Sequence, residues 1–218
     1  MRNRSQTTKS IFLFLTGATG WFGLALQMFL LLNNASSNGI SKSTAILNFF
    51  SYFTILTNLL VAASITVRLF FPNSNWLYFF SKVTTQTAIA VYILIVGLVY
   101  SIALRRIWDP QGLQLLADRI LHDVIPLLYL LTWLLFTPKT NMNWQKSFIW
   151  LLFPLGYLVM ALTRGWMTNW FSYYFLNFIE LGWEKVLLNI VMIAAFFFVV
   201  SLLLIFINAK KSILVKEN

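Results

Sequence analysis

With 59% apolar residues, only 10% charged residues and a mean hydropathy of +0.76 over 218 residues, the chain lacks the charge needed to cover a soluble globule. The absence of cysteine excludes a disulfide framework, a thiol nucleophile, a Cys-ligated metal and a cysteine-linked lipid; a single histidine excludes bis-histidine haem and multi-histidine zinc. The net charge of +10 is scattered at the ends of apolar runs instead of forming one stripe, which argues against nucleic acid and for topology signals and lipid-headgroup contacts.

Runs of roughly 20 apolar residues suffice for a helix to cross a hydrocarbon core about 30 Å thick. Six can be drawn, so the predicted fold is all-α, one six-helix transmembrane domain over residues 1–218. The first, Ile11 to Leu32, follows Arg2, Arg4 and Lys9; it exceeds the h-region of a signal peptide and lacks a small-x-small cleavage site, so it reads as a retained helix. Its Gly17, Gly20 and Gly23 suit close helix packing. The second, Ile46 to Phe71, carries a polar strip in which Ser51, Thr54 and Asn58 share a face within about 60°, with Thr57 beside it. Ser and Thr in such helices commonly bond their own backbone, and Asn joins helices, so the strip also has a structural reading.

The third run is Val83 to Leu104, and the connection Arg105 to Ile120 leads to the fourth, Leu121 to Phe136. The short fifth run, Ser147 to Thr163, contains Pro154 and Gly156 and is expected to kink or tilt. The aromatic connection from Arg164 to Glu184 holds Trp166, Trp170, Tyr173, Tyr174 and Trp183, as an interfacial belt or a re-entrant lid would. The sixth run is Lys185 to Ile207. No internal repeat supports an inverted-repeat transporter.

Alternate loops of a six-span protein share a side. The side holding both termini carries ten Lys and Arg against six opposite, which places both termini in the cytoplasm. Five of the six acidic residues, Asp109, Asp118, Asp123, Glu180 and Glu184, then gather with His122, Arg119 and Arg164 on the outer side.

An ionisable group at the mouth of a span is costly, so His122 marks a functional site by default. Helical spacing puts Asp118, Pro126, Tyr129 and Trp133 on its face within about 80°. Asp118 would either accept a ring N–H and fix the tautomer or cap a helix beginning after Leu121. Thr54 would lie about 12 Å below its own helix start, at 1.5 Å per residue, on a helix entering from the same side. A hydroxyl beside an imidazole is the minimum for nucleophilic acyl transfer.

Three segments taken together, Tyr52-Phe53-Thr54-Ile55-Leu56-Thr57-Asn58-Leu59-Leu60, Leu121-His122-Asp123-Val124-Ile125-Pro126, and Phe171-Ser172-Tyr173-Tyr174-Phe175-Leu176 followed by Glu180-Leu181-Gly182, resemble the bacterial Pr6Pr six-helix membrane proteins. That group is similar to the eukaryotic family of FAR-17a and androgen-induced gene 1 proteins, membrane hydrolases of fatty acid esters of hydroxy fatty acids. The resemblance implies Thr54 as nucleophile, with Thr57 as the alternative one turn away, and His122 as base. Three residues separate His122 from Pro126 where the eukaryotic pattern has four, and Tyr173-Tyr174-Phe175-Leu176 lacks that pattern's proline.

The expected activity is metal-independent hydrolysis of a lipid-like ester within a bacterial cytoplasmic membrane, with membrane lipids as partners, no nucleic acid and no cofactor. Asn58, Tyr129 and Arg164 are the candidate oxyanion donors, and Asp118 and Asp123 the supporting carboxylates. The alternative is a non-enzymatic lipid-binding or structural membrane protein in which the same residues form a packing network. A transporter would want paired acids at midplane, and rhomboid-like proteolysis a Gly-x-Ser-type loop; neither pattern is convincing here.

Overall fold

The computed structural model describes residues 2–216, with side chains for 6–210; Arg2, Arg4, Lys211, Lys216 and Glu217, which entered the charge comparison, lie outside the described side chains. Among the described residues the chain is helical without a strand: α1 (Arg2–Ser37), α2 (Lys42–Phe50), α3 (Phe53–Phe70), α4 (Asn75–Ser81), α5 (Val83–Val99), α6 (Gly112–Arg119), α7 (Ile125–Phe136), α8 (Lys146–Trp150), α9 (Leu152–Thr168), α10 (Phe178–Leu181) and α11 (Trp183–Lys216). Six of its helical stretches are long and apolar enough to cross a membrane: Gln6–Ser37, Phe53–Phe70, Val83–Leu104, Gly112–Phe136, Lys146–Thr168 and Trp183–Lys210.

The centre of the bundle is α5, which packs on α3, α7 and α11; its Ile89, Ala90, Val91 and Ile93 are essentially inaccessible. Such a helix is apolar all round because every face meets another helix. On the outside, α1, α9 and α11 present large apolar side chains such as Phe14, Phe22, Val159, Leu188 and Phe206. The three glycines of α1 face the bundle, with Gly17 against Ile65 and Gly23 against Ile120 and Leu121, and α1 lies closely along α3.

Two departures from the expected helix ends build the site. The stretch Ile46 to Phe71 is two helices, because Ser51 ends α2 and Tyr52 is extended (φ −91°, ψ 128°). The break is held from α9: Tyr157 donates to the Ser51 carbonyl at 3.0 Å, and Arg164 donates to the Leu47 carbonyl at 3.2 Å and to Asn48 Oδ1 and Ser51 Oγ. Ser51, Thr54 and Asn58 therefore do not form one continuous helical strip. Thr54 stands in the first turn of its own helix, not two turns deep.

The fourth helical stretch starts at Gly112, nine residues before the expected Leu121, and passes from α6 into α7 through a π-turn at Ile120–Val124. Pro126 accounts for the turn. Proline has no N–H to give the carbonyl four residues back, and its ring crowds that carbonyl, which here belongs to His122. The amide just before it, Ile125, bonds to the Ile120 carbonyl five residues back, closing the wider ring. Asp118 thus sits inside α6 and caps nothing at a helix start. A second π-turn, Tyr100–Leu104, ends α5 opposite the first.

Candidate active site

The α2–α3 break leaves the Phe53 and Thr54 amides of α3 without intrahelical acceptors, while those of Ile55 and Leu56 bond to the Tyr52 carbonyl. Thr54 N–H donates to the Tyr173 hydroxyl at 3.3 Å, and Thr54 Oγ1 lies 3.3 Å from the same hydroxyl and 3.3 Å from His122 Nε2. Thr54 is 8% exposed.

On its other nitrogen the imidazole meets two acceptors one turn earlier. Nδ1 lies 3.0 Å from the Asp118 carbonyl and 3.2 Å from Asp118 Oδ1. A proton on Nδ1 satisfies both, so Nε2 is left with its lone pair toward the threonine hydroxyl. Asp118, only 4% exposed, takes a hydrogen bond on Oδ2 from Tyr100, whose ring stacks on the imidazole at 4.0 Å between centroids and 13° between planes. A donor chain therefore runs from Thr54 through His122 to Asp118, and Tyr100 holds the last two by ring and hydroxyl.

The approach that permits this stack is made at Gly97. A Cβ there would stand 3.0 Å from the His122 carbonyl and 3.2 Å from Pro126 Cβ. The carbonyl that Pro126 leaves without a helical donor thus faces the one residue of α5 able to come so near. Gly97→Val is expected to lower stability by about 1–3 kcal/mol through overpacking and to part Tyr100 from His122. A drop in the thermal midpoint together with a lost Tyr100–His122 contact checks this.

Two cavities meet at Thr54. One, of about 390 Å³, is bordered by polar groups including Gln114, Asp118, His122 and Ser172. The other, of about 100 Å³, is an apolar cleft between α5, α9 and α11 lined by Val96, Leu155, Leu158, Ile190 and Phe197. Thr54, Tyr100 and Tyr173 border both.

The remaining nominated residues take other positions. Asn58 is fully buried and its amide nitrogen donates to the carbonyls of Thr54 (2.8 Å) and Leu121 (3.2 Å), so it ties α3 to the π-turn and is not free to receive an oxyanion. Thr57 is fully buried, makes no hydrogen bond through Oγ1 and lines neither cavity. Tyr129 is directed toward Ser64 and Arg68 of the far half of α3, and Arg164 is engaged with the α2–α3 break and stacked over Trp170 at 4.2 Å. Asp123 turns away from His122 to Arg105 and, at 2.9 Å, to Arg119.

Sequence reasoning missed Tyr100, which stands beside Ser101 near the end of an apolar run, and placed Tyr173 in an aromatic belt or lid; the only signal for the latter as a site residue was its place in the Tyr173-Tyr174-Phe175-Leu176 segment. Among the described residues there is no group of three or more His, Cys, Asp or Glu able to hold a metal.

Burial pushes the Tyr173 phenol up to about 12, against the opposing pull of its bonds to Thr54. The folded value lies above the ordinary one near 10, so the stability contributed by the neutral phenol is fully present below about pH 10 and is lost as pH rises toward 12. The thermal midpoint is expected to fall less steeply over that alkaline range in Tyr173→Phe than in the wild type.

No protein-family model, no curated protein and no solved structure matches the chain. What the site offers is a hydroxyl, an imidazole and a buried carboxylate in hydrogen-bonding order, the set that nucleophilic acyl transfer employs.

Proposed function

We propose that the protein is an intramembrane lipid ester hydrolase with Thr54 as nucleophile and His122 as general base. The observation that carries the reading is the 3.3 Å approach of Thr54 Oγ1 to His122 Nε2, on an imidazole whose Nδ1 is committed to Asp118. In this reading Nε2 takes the hydroxyl proton as Oγ1 attacks the ester carbonyl. The proton then goes to the leaving alkoxide, and water, deprotonated by the same imidazole, releases the acid and restores Thr54.

The Tyr173 hydroxyl, which now accepts from the Thr54 amide, is the donor nearest to the oxyanion that would form, and the start of a helix favours negative charge there. The apolar cleft suits the acyl chain and the polar cavity the alcohol and the attacking water. Its motifs resemble those of the Pr6Pr and FAR-17a/androgen-induced gene 1 proteins, and on that resemblance fatty acid esters of hydroxy fatty acids are the first substrates to assay. The six apolar stretches, the outward-facing apolar side chains and the distribution of Lys and Arg support insertion in a membrane with both termini inside and the Thr54 end facing out; that the membrane is a bacterial cytoplasmic one rests on the resemblance.

The test is to incubate the detergent-purified chain with a fluorophosphonate probe and with long-chain esters. Covalent labelling on the peptide carrying Thr54 and release of fatty acid are expected. Labelling spread over other hydroxyl residues, with no acid released, would return the polar cluster to a packing or lipid-binding role.

A further inference from the structure

At the end of the bundle opposite Thr54, a cavity of about 410 Å³ opens between the start of α1, the end of α3 and the segments around Ser81 and Phe136. Its polar wall comprises Gln6, Lys9, Ser10, Arg68, Ser81 and Gln86. Gln86 is already used, donating to the Ser81 carbonyl and accepting from Thr137, both at 2.8 Å. Lys9 and Arg68, on neighbouring helices, are close enough to repel each other.

No described carboxylate offsets these two cations. The five acidic residues with described side chains fall in 109–123 and 180–184, at the other end. Arg68 Nη1 is buried without a hydrogen-bond partner. An uncompensated guanidinium in a low-dielectric wall is costly, and a second cation beside it raises that cost. An oxyanion bridging the two would relieve both, and phosphate matches the guanidinium fork and the ammonium. The rest of the wall is largely apolar, with Leu13, Leu69, Leu77 and Phe136, which suits the glycerol end of a lipid more than a bare ion.

We propose that this cavity is a phosphate-binding site formed by Lys9 and Arg68, filled by the phosphate of an anionic phospholipid headgroup or by free phosphate. It is independent of the chemistry at Thr54.

The full-length protein, purified in nonionic detergent free of phosphate, is titrated with phosphatidylglycerol, with diacylglycerol and with inorganic phosphate while thermal unfolding is followed by tryptophan fluorescence. Saturable stabilisation by phosphatidylglycerol and not by diacylglycerol is expected, with a half-saturating concentration at least about tenfold higher in Arg68→Gln and in Lys9→Gln. Lys185→Gln, which removes one charge at the opposite end, is expected to bind as the wild type does. Stabilisation by inorganic phosphate as well identifies a site for the free ion; its absence identifies a headgroup site.

Without ligand, Arg68→Gln is expected to unfold no earlier than the wild type, because it removes a half-buried cation whose Nη1 has no hydrogen-bond partner, whereas a purely structural arginine would destabilise on removal. Should Arg68→Gln fail to fold, Lys9→Gln at the cavity rim carries the comparison. Equal stabilisation of the wild type and the folded variants, or none by either phosphate source, overturns the proposal.

Discussion

Thr54→Ala is expected to bring ester hydrolysis and fluorophosphonate labelling to background, and His122→Ala to slow hydrolysis by about 10²–10⁴-fold, the range a positioned general base contributes. Both variants should remain folded. Thr54 loses only a hydroxyl that touches His122 and Tyr173, a change of about 1 kcal/mol, while His122 has a side chain 15% exposed and borders a cavity able to admit water in its place. Retention of the thermal midpoint, read beside the rate, separates chemistry from stability. The double variant should be no slower than Thr54→Ala, since residues acting as a unit are not additive. Hydrolysis that persists at the wild-type rate in either single variant removes the dyad.

Asp118→Ala carries the second large effect, an expected loss of about 10²–10⁴-fold in rate, by analogy with buried carboxylates that orient a catalytic imidazole. In the proposed mechanism the carboxylate both holds Nδ1–H and opposes the positive charge that would develop on the ring as it takes the Thr54 proton. Part of the orientation should survive, because the Asp118 carbonyl also accepts from Nδ1 at 3.0 Å. Unlike Thr54→Ala, this substitution is expected to reduce stability, by about 1–3 kcal/mol, because the Tyr100 hydroxyl loses its acceptor in a buried setting. Tyr100→Phe separates the two effects: it keeps the ring stack and the carboxylate and is expected to cost less than about tenfold in rate. A full rate in Asp118→Ala would show that the imidazole needs no carboxylate.

The apolar runs are legible in the sequence because a helix that meets lipid or other helices over its whole length needs side chains of one kind for some twenty residues. What lies between those runs is less so. Gly112 to Ile120 has mixed polarity and reads as connection, yet it is helical because its buried side, with Ala117 and Asp118, packs against α1. The Ser51–Tyr52 break has no proline or glycine to announce it; its cause lies more than a hundred residues along the chain, in Tyr157 and Arg164.

Thr54 and His122 could be nominated from short motifs, and the structure sets them side by side. Asp118 could be nominated from its four-residue spacing to His122. Tyr100 could not, since nothing local distinguishes a tyrosine that anchors at an interface from one that closes a hydrogen-bond chain.

The π-turn before Pro126 also constrains how the chain can change length. A π-turn is one residue more than an α-helix would hold, so deleting a single residue between Ile120 and Val124 would heal the helix and cost it no continuity. The wider turn takes up that residue by turning through fewer degrees per residue, so α6 and α7 would keep their facing directions across the deletion. What would change is the turn itself, which sets the imidazole between Thr54 and Asp118 and the His122 carbonyl against Gly97. The extra residue therefore serves the placement of His122 and not the phase of the span, whose two halves could be joined without it.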